Sequence, residues 1–168
     1  MKIILFSRKG ITPRTEDIEE IFGAIEHYGF DYAINREFAE NIEKYTSRTL
    51  QPSSVYDCFI GEQPTEAVMV CYGGDGTLLE GVHRLNGVDI PVIGINGGHL
   101  GFLALAPREN IKEVFEGIAS GNLNLEQRDS NTIKVVRYIL LKNNGPITGI
   151  SDKNGASKRD TPLTILIF

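Results

Sequence analysis

The sequence lacks several features that define large classes of proteins. No apolar run in its 168 residues approaches the roughly 20 residues that span a bilayer, and the short apolar run at 3–6 is too brief for a secretory signal. Basic residues are not in excess, because 17 Lys and Arg stand against 22 Asp and Glu. The resulting net charge of −5 argues against broad binding to nucleic acid or to an anionic membrane. We therefore expect a cytoplasmic protein.

Cysteine is also scarce. The sequence has two cysteines, Cys58 and Cys71, and their separation forms neither a CxxC motif nor a zinc-ligand spacing. Each lies beside strand-like apolar residues, which favours buried free thiols over a metal or redox site.

The apolar residues that are present follow two alternating patterns. Short continuous apolar runs predict buried strands, and apolar residues spaced three and four apart predict helices. Strands that alternate with helices are typical of an α/β fold with an open, mostly parallel sheet and helices on both faces. We predict strands at 2–6, 30–34, 67–72 and 91–95, helices at 15–28, 36–45, 77–85 and 107–119, and mostly loop over 46–64.

The pattern changes after Gly121. Residues 132–142 predict a longer strand, and the sequence stops on the apolar run at 163–168. Because an exposed apolar strand invites association, this run either pairs within a sheet or, as we favour, belongs to a second domain that has been cut short. The predicted organisation is an α/β nucleotide-binding domain over 1–120 and a partial or diverged β-rich segment over 121–168.

A glycine-rich turn connects the predicted strand at 67–72 to the helix that follows it. The turn is Gly73-Gly74-Asp75-Gly76-Thr77, and its three glycines let the backbone approach a ligand closely. The helix start behind it presents N–H groups and the positive end of the helix dipole, which suit phosphate. The alternative is an ordinary strand-to-helix turn in which Asp75 caps the helix. Tyr72, which precedes the turn, is interpreted as a packing residue.

A second glycine-rich loop, Asn96-Gly97-Gly98-His99-Leu100-Gly101-Phe102, follows the next predicted strand. Because such loops meet at the carboxyl edge of a parallel sheet, the two loops can form the walls of one crevice. Neither contains the Gly-Lys-Ser/Thr of a P-loop or the spaced GxGxxG of dinucleotide-binding folds, so those two classes are disfavoured.

Together, the two motifs resemble those of the bacterial NAD kinases, over roughly residues 1–128. The first motif is shared with diacylglycerol and sphingosine kinases and is similar in phosphofructokinases, whereas the second distinguishes NAD kinases from them. The resemblance implies a transferase that moves the γ-phosphate of ATP to the 2′-hydroxyl of the adenosine ribose of NAD, forming NADP. It further implies Mg²⁺ as a cofactor, small-molecule nucleotides rather than nucleic acid or a membrane as partners, and a homo-oligomer, either a dimer or a tetramer.

The resemblance also implies roles for individual residues. Asp75 matches the catalytic base that accepts the proton of the 2′-hydroxyl. The residues that match NAD-binding positions are Asp75, Gly76, Leu79, Asn96 and Phe102. The candidates for ATP and its phosphates are Arg8, Lys9, Gly73, Gly74, Thr77 and His99.

Three of these candidates have a second interpretation. Arg8 and Lys9 follow the first predicted strand and are either phosphate ligands or plain solvated charges. His99 either contacts phosphate or ribose, or forms a hydrogen bond within its loop. No residue is assigned to a metal site held by the protein itself.

The sequence departs from the family pattern at two points. Gly97 stands where the family usually has Thr, and no Asn-Glu pair follows residue 128. Two alternative functions therefore stay open: a lipid kinase of the diacylglycerol kinase-like group, and a non-catalytic nucleotide-binding fragment.

Overall fold

The computed structural model describes residues 1–57, 66–85, 88, 90–98 and 106–121. Over these residues the chain alternates between strands and helices. The strands are β1 (Lys2–Phe6), β2 (Asp31–Asn35), β3 (Ser54–Tyr56), β4 (Ala67–Gly73), β5 (Val92–Asn96) and β6 (Ala106–Pro107). The helices are α1 (Thr15–Tyr28), α2 (Arg36–Tyr45), α3 (Asp75–Arg84) and α4 (Ile111–Ser120), with a 3₁₀ turn at Arg108–Asn110 before α4.

The strands form one parallel sheet in the order β3-β2-β1-β4-β5-β6. All seven residues of β4 are buried, as expected for a central strand covered on both faces. Alternate residues of each strand enter different cores: Ile3 and Leu5 pack with α1, α2 and α4, whereas Ile4 and Phe6 pack with α3. The predicted open parallel sheet with helices on both faces is confirmed.

The strand order places a topological switch point between β1 and β4. From β1 the chain runs outward through β2 to β3, and it then returns to β4 on the other side of β1. The helices that follow these two central strands, α1 and α3, cover opposite faces of the sheet. In open α/β sheets, a crevice forms at the carboxyl ends of the strands where the connections diverge in this way. The fold therefore directs attention to the ends of β1 and β4.

The bounds of two predicted helices differ in the structure, and the region predicted as mostly loop contains one short strand. The region 46–64 contains the short edge strand β3, which pairs with β2. The helix predicted at 107–119 begins at Ile111, because Pro107 ends β6 and a 3₁₀ turn intervenes. The helix predicted at 77–85 begins earlier, at Asp75.

Other predictions fall partly or wholly beyond the structure. Cys71 is buried and free, whereas Cys58 lies outside the described residues. The predicted strand at 132–142 and nearly all of the segment 121–168 also lie outside them. Of the helices described, none combines the length and the apolarity that crossing a bilayer requires.

Candidate functional site

The junction between β4 and α3 is a tight turn built on glycine. Gly73 has a φ of +154°, and a Cβ at this position would overlap the side chain of Thr77, so the turn requires glycine there. The Gly74 carbonyl accepts hydrogen bonds from the amides of Thr77 (2.9 Å) and Leu78 (3.1 Å). The helix therefore starts directly at the carboxyl edge, and the N–H groups of its first turn point toward that edge.

Asp75 is the first residue of α3 and is partly exposed. The cap position of the helix is occupied by Gly74, and no side chain caps it. This removes the interpretation of Asp75 as the helix cap. A carboxylate in the first turn is stabilised by the helix dipole, and Gly76, which follows it, is exposed. Asp75 therefore lies where a bound molecule would approach the N–H groups at the start of α3.

The described start of the second glycine-rich loop, residues 96–98, lies directly against the first loop. Strands β4 and β5 stay in register as far as Gly73 opposite Asn96, and the amide of Gly97 donates to the Gly73 carbonyl at 3.1 Å. The Asn96 side chain is buried, and its Oδ1 accepts from the amide of Gly98 at 3.0 Å. The predicted juxtaposition of the two loops is therefore observed for residues 96–98, where Asn96 stabilises the turn of its own loop.

Arg8 reaches from the end of β1 to the first turn of α3. Its Nη1 lies 2.7 Å from the point that a Cβ on Gly76 would occupy, and its Nε is 3.0 Å from Oε2 of Glu80. About half of the Arg8 side chain is exposed. A cation is thus held across the switch point, beside Gly76. Lys9 is exposed and follows Arg8 in the same connection.

The remaining predicted site residues are distributed unevenly. Thr77 is buried under the turn, where its side chain packs against Gly73, whereas Leu79, two residues further along α3, is 40% exposed. Phe102 and His99 lie outside the described residues.

Arg108 is a neighbour of the second loop that the sequence analysis missed. Its Nη2 donates to the Gly98 carbonyl at 3.4 Å. The available signal was a basic residue directly after a strand end, but β6 has only two residues and leaves no recognisable pattern.

The charged groups at this edge fit a metal that arrives with a nucleotide. In the described part of the chain, no cluster of three or more His, Cys, Asp or Glu side chains could hold a metal ion. Magnesium in nucleotide sites is usually bound by one or two carboxylates together with the substrate phosphates. Asp75 supplies one carboxylate at the edge, which suits that mode of binding.

A comparison with known families decides the relationship. The family model of the ATP-NAD kinase N-terminal domain matches residues 27–123, which include both glycine-rich loops and more than half of the chain. The chain belongs to the ATP-NAD kinase family. The predicted resemblance is confirmed.

Curated NAD kinases match the chain over much of its length. That of Bacteroides fragilis is 29% identical over 76% of this chain and 43% of its own length. That of Paraburkholderia phymatum is 30% identical over 80% and 43%, and that of Ralstonia nicotianae is 35% identical over 70% and 37%. The chain spans less than half the length of these relatives.

The fold matches a solved structure as well. Yeast NADH kinase in complex with NADH superimposes with a TM-score of 0.56 at 22% identity, over 79% of this chain and 45% of the yeast chain. At this level of identity the match concerns the fold alone.

Proposed function

We propose that this chain forms the N-terminal, nucleotide-binding part of an NAD kinase, which transfers the γ-phosphate of ATP to the 2′-hydroxyl of the adenosine ribose of NAD and so forms NADP. The observation that carries the proposal is the joining of the two glycine loops by the Gly97–Gly73 hydrogen bond, with Asp75 beside them at the start of α3. A cytoplasmic location and a homo-oligomer, dimer or tetramer, remain predictions.

In this proposal Asp75 is the catalytic base. It accepts the 2′-hydroxyl proton as the ribose oxygen forms a bond to the γ-phosphorus of ATP, and the bond between that phosphorus and the β,γ-bridging oxygen breaks to release ADP. Phosphoryl transfer depends chiefly on positioning and charge stabilisation, so one aligned carboxylate suffices for the proton. Gly76, Leu79 and Asn96 would line the NAD side of the crevice, together with Phe102 of the second loop.

The phosphates of ATP would meet the first turn of α3. The Gly73–Gly74 turn brings no side chain between a phosphate and the helix N–H groups, and Arg8 places a guanidinium beside Gly76. Thr77 would contribute by supporting the turn from below. Lys9 adds a second positive charge at the end of β1, and His99 is a further candidate ligand. Magnesium, held through the phosphates, would neutralise part of their charge when present.

The direct test is a transfer assay with NAD and ATP labelled at the γ-phosphate. We expect the label at the 2′ position of the adenosine ribose in a protein that carries this chain and spans the full length of its relatives. In a parallel assay with diacylglycerol as the acceptor, label transferred to the lipid would favour the lipid kinase alternative.

A second candidate function rests on the length of the chain. Because the chain spans less than half of its curated relatives, it could bind nucleotide without transferring phosphate. Calorimetric titration with NAD and ATP, run beside the transfer assay on the 168-residue chain itself, separates the two candidates. Binding without transfer supports the non-catalytic fragment, whereas transfer eliminates it.

A further inference from the structure

Tyr72 connects the first glycine loop to three other parts of the fold. Its side chain is fully buried, and its ring stacks on Phe38 with the centroids 5.8 Å apart. Its carbonyl accepts a hydrogen bond from Oγ of Ser7, at the end of β1, at 2.7 Å. Its hydroxyl donates to Oδ2 of Asp17 at 2.7 Å and accepts from the amide of Arg14 at 3.4 Å. The interpretation of Tyr72 as a packing residue therefore omits its polar contacts.

The hydrogen-bond acceptor of the Tyr72 hydroxyl, Asp17, is a buried carboxylate. Asp17 lies in the first turn of α1 and is 4% exposed. A buried carboxylate is costly unless hydrogen bonds stabilise it, so the phenol of Tyr72 is an important donor. Burial, and then the hydrogen bond to Asp17, raise the pKa of Tyr72 well above its usual value. The hydroxyl therefore stays protonated and continues to donate at any physiological pH.

The start of the second glycine loop, at Gly97, rests on the ring of the same tyrosine. A Cβ on Gly97 would lie 2.8 Å from Cζ of Tyr72, closer than side-chain carbons pack in proteins. The backbone of Gly97 therefore lies directly against the ring, and its amide is bonded to the carbonyl of Gly73, the residue after Tyr72. Tyr72 thus contacts the second loop through its ring and leads into the first loop through its backbone.

We propose that Tyr72 is a positioning residue that fixes the two glycine loops relative to each other. Its backbone leads into the first loop, its ring supports the second at Gly97, and its hydroxyl anchors both to α1 through Asp17. The effect on ligand affinity rests on the proposed function, whereas the mechanical coupling of the loops does not. The absence of a side chain at position 97 follows from the ring below it.

A double-mutant cycle tests the coupling without any nucleotide. We expect Gly97→Ala to lower the Tm by at least about 3 °C in the unaltered chain, because the added methyl meets the Tyr72 ring. In a Tyr72→Leu background the ring is gone, and the same substitution should lower the Tm by less than about 1 °C. Equal shifts in the two backgrounds would overturn the proposal.

A second pair of variants keeps the test decisive if Tyr72→Leu does not fold. Tyr72→Phe retains the ring and removes only the hydroxyl. Tyr56→Phe is a matched control, because Tyr56 is also buried and its hydroxyl donates to the Leu5 carbonyl at 2.9 Å, on the α3 face of the sheet. In the Tyr72→Phe chain, we expect the amide of Gly97 to exchange with solvent at least about fivefold faster than in the Tyr56→Phe chain. Equal exchange in the two variants would contradict the coupling.

The functional consequence is read from NAD affinity. We expect Tyr72→Phe to weaken NAD binding about tenfold and Tyr56→Phe to leave it within about twofold, even where the two variants lose similar stability. Asp17→Asn keeps an acceptor for the hydroxyl and should retain most of the affinity. Equal losses in Tyr72→Phe and Tyr56→Phe would show a merely structural role for Tyr72. If a protein that carries this chain and spans the full length of its relatives binds no NAD but the coupling is observed, the proposed function fails while the coupling stands.

Discussion

Two strand-to-helix junctions of the sheet have the same extended backbone at the cap position but differ in the residue that stands there. Strand β2 passes into α2 through Asn35, and β4 passes into α3 through Gly74; both cap residues are extended. The Asn35 side chain is buried and turned inward, where Oδ1 accepts from the Ser7 amide and Nδ2 donates to the Ser7 carbonyl, each at 3.1 Å. Gly74 has no side chain, and Gly76 beyond it is exposed.

The difference separates a structural junction from one suited to a ligand. At the β2 junction the polar side chain ties neighbouring strands together. At the β4 junction the cap residue Gly74 has no side chain, and Arg8 and Asp75 lie beside the start of α3, so an anionic ligand can approach the N–H groups there. The same local geometry can therefore serve stability or binding, depending on one residue. The predictions below are ordered from the largest expected effect to the smallest.

Removing the Asp75 carboxylate at the β4 junction has the largest expected effect. In a protein that spans the full length of its relatives, Asp75→Asn should lower turnover about 10²–10⁴-fold, because the 2′-hydroxyl loses its proton acceptor. Nucleotide affinity should fall far less than turnover, and the Tm should change little. Steady-state kinetics and calorimetry measure the two quantities. Asp57→Asn, at an exposed carboxylate just after β3, is the control. Full activity in the Asp75→Asn protein would refute the assignment of the base.

Removing the Asn35 side chain at the β2 junction should lower the stability of the fold rather than ligand binding. Asn35→Ala leaves the buried amide and carbonyl of Ser7 without their partners, and we expect a loss of about 2–4 kcal/mol in the free energy of unfolding. Urea denaturation measures it. Asn41→Ala serves as a comparison, since Asn41 donates a hydrogen bond to the Ile11 carbonyl at a partly buried site. A loss no larger than that of Asn41→Ala would show that the β2 junction is not held by its side chain.

A polar cap residue at the β4 junction should block the approach of a ligand to the start of α3. A Cβ on Gly74 would meet nothing within 4 Å, and Asn caps a helix slightly better than Gly, so Gly74→Asn should raise the free energy of unfolding by a few tenths of a kcal/mol. The new side chain would occupy the helix start, and ATP affinity should fall about tenfold. Gly74→Ala separates the effect of bulk from that of the amide group. Unchanged ATP affinity in the Gly74→Asn chain would place the phosphates elsewhere.

The smallest effect concerns an exposed ion pair beside the β2 junction. Nε of Arg36 lies 2.6 Å from Oδ1 of Asp57, and this hydrogen bond lowers the pKa of Asp57 below its ordinary value of 3.8. A lowered pKa in the folded state stabilises the protein above pH 3.8, and that contribution is lost as the pH falls through the folded-state value. Arg36→Gln should thus lower the Tm slightly at pH 7, and the difference should shrink below pH 3.8. A difference that grows on acidification would contradict this assignment.

Local patterns predicted some elements of the fold to the residue. The helix at 15–28 carries Ile18, Ile21, Phe22 and Ile25 on its buried face, and it ends where Gly29 adopts a left-handed conformation with φ of 64°. The continuous apolar run of β4 signals a strand buried on both faces. The two glycine loops were recognisable from their residue types, and at Gly73 the turn itself requires glycine.

Other features depend on contacts between distant parts of the chain. Strand β3 has three residues and is defined by its pairing with β2, and β6 has two and pairs with β5. The pairing of Tyr72 with Asp17 joins residues 55 positions apart, and the contact of Arg108 with Gly98 depends on where β6 ends. Periodicity and turn chemistry carry no information on such pairings.

The location of the nucleotide site can be tested directly by mapping backbone amide chemical shifts during titration with NAD and then ATP. If the carboxyl edge binds nucleotide, the largest changes will fall on residues 73–76 and 97–98. A groove of about 760 Å³ lies between α1 and α4, lined in part by Glu20, His27 and Lys112. Changes confined to that groove, or none at the two glycine loops, would contradict the assignment of the site.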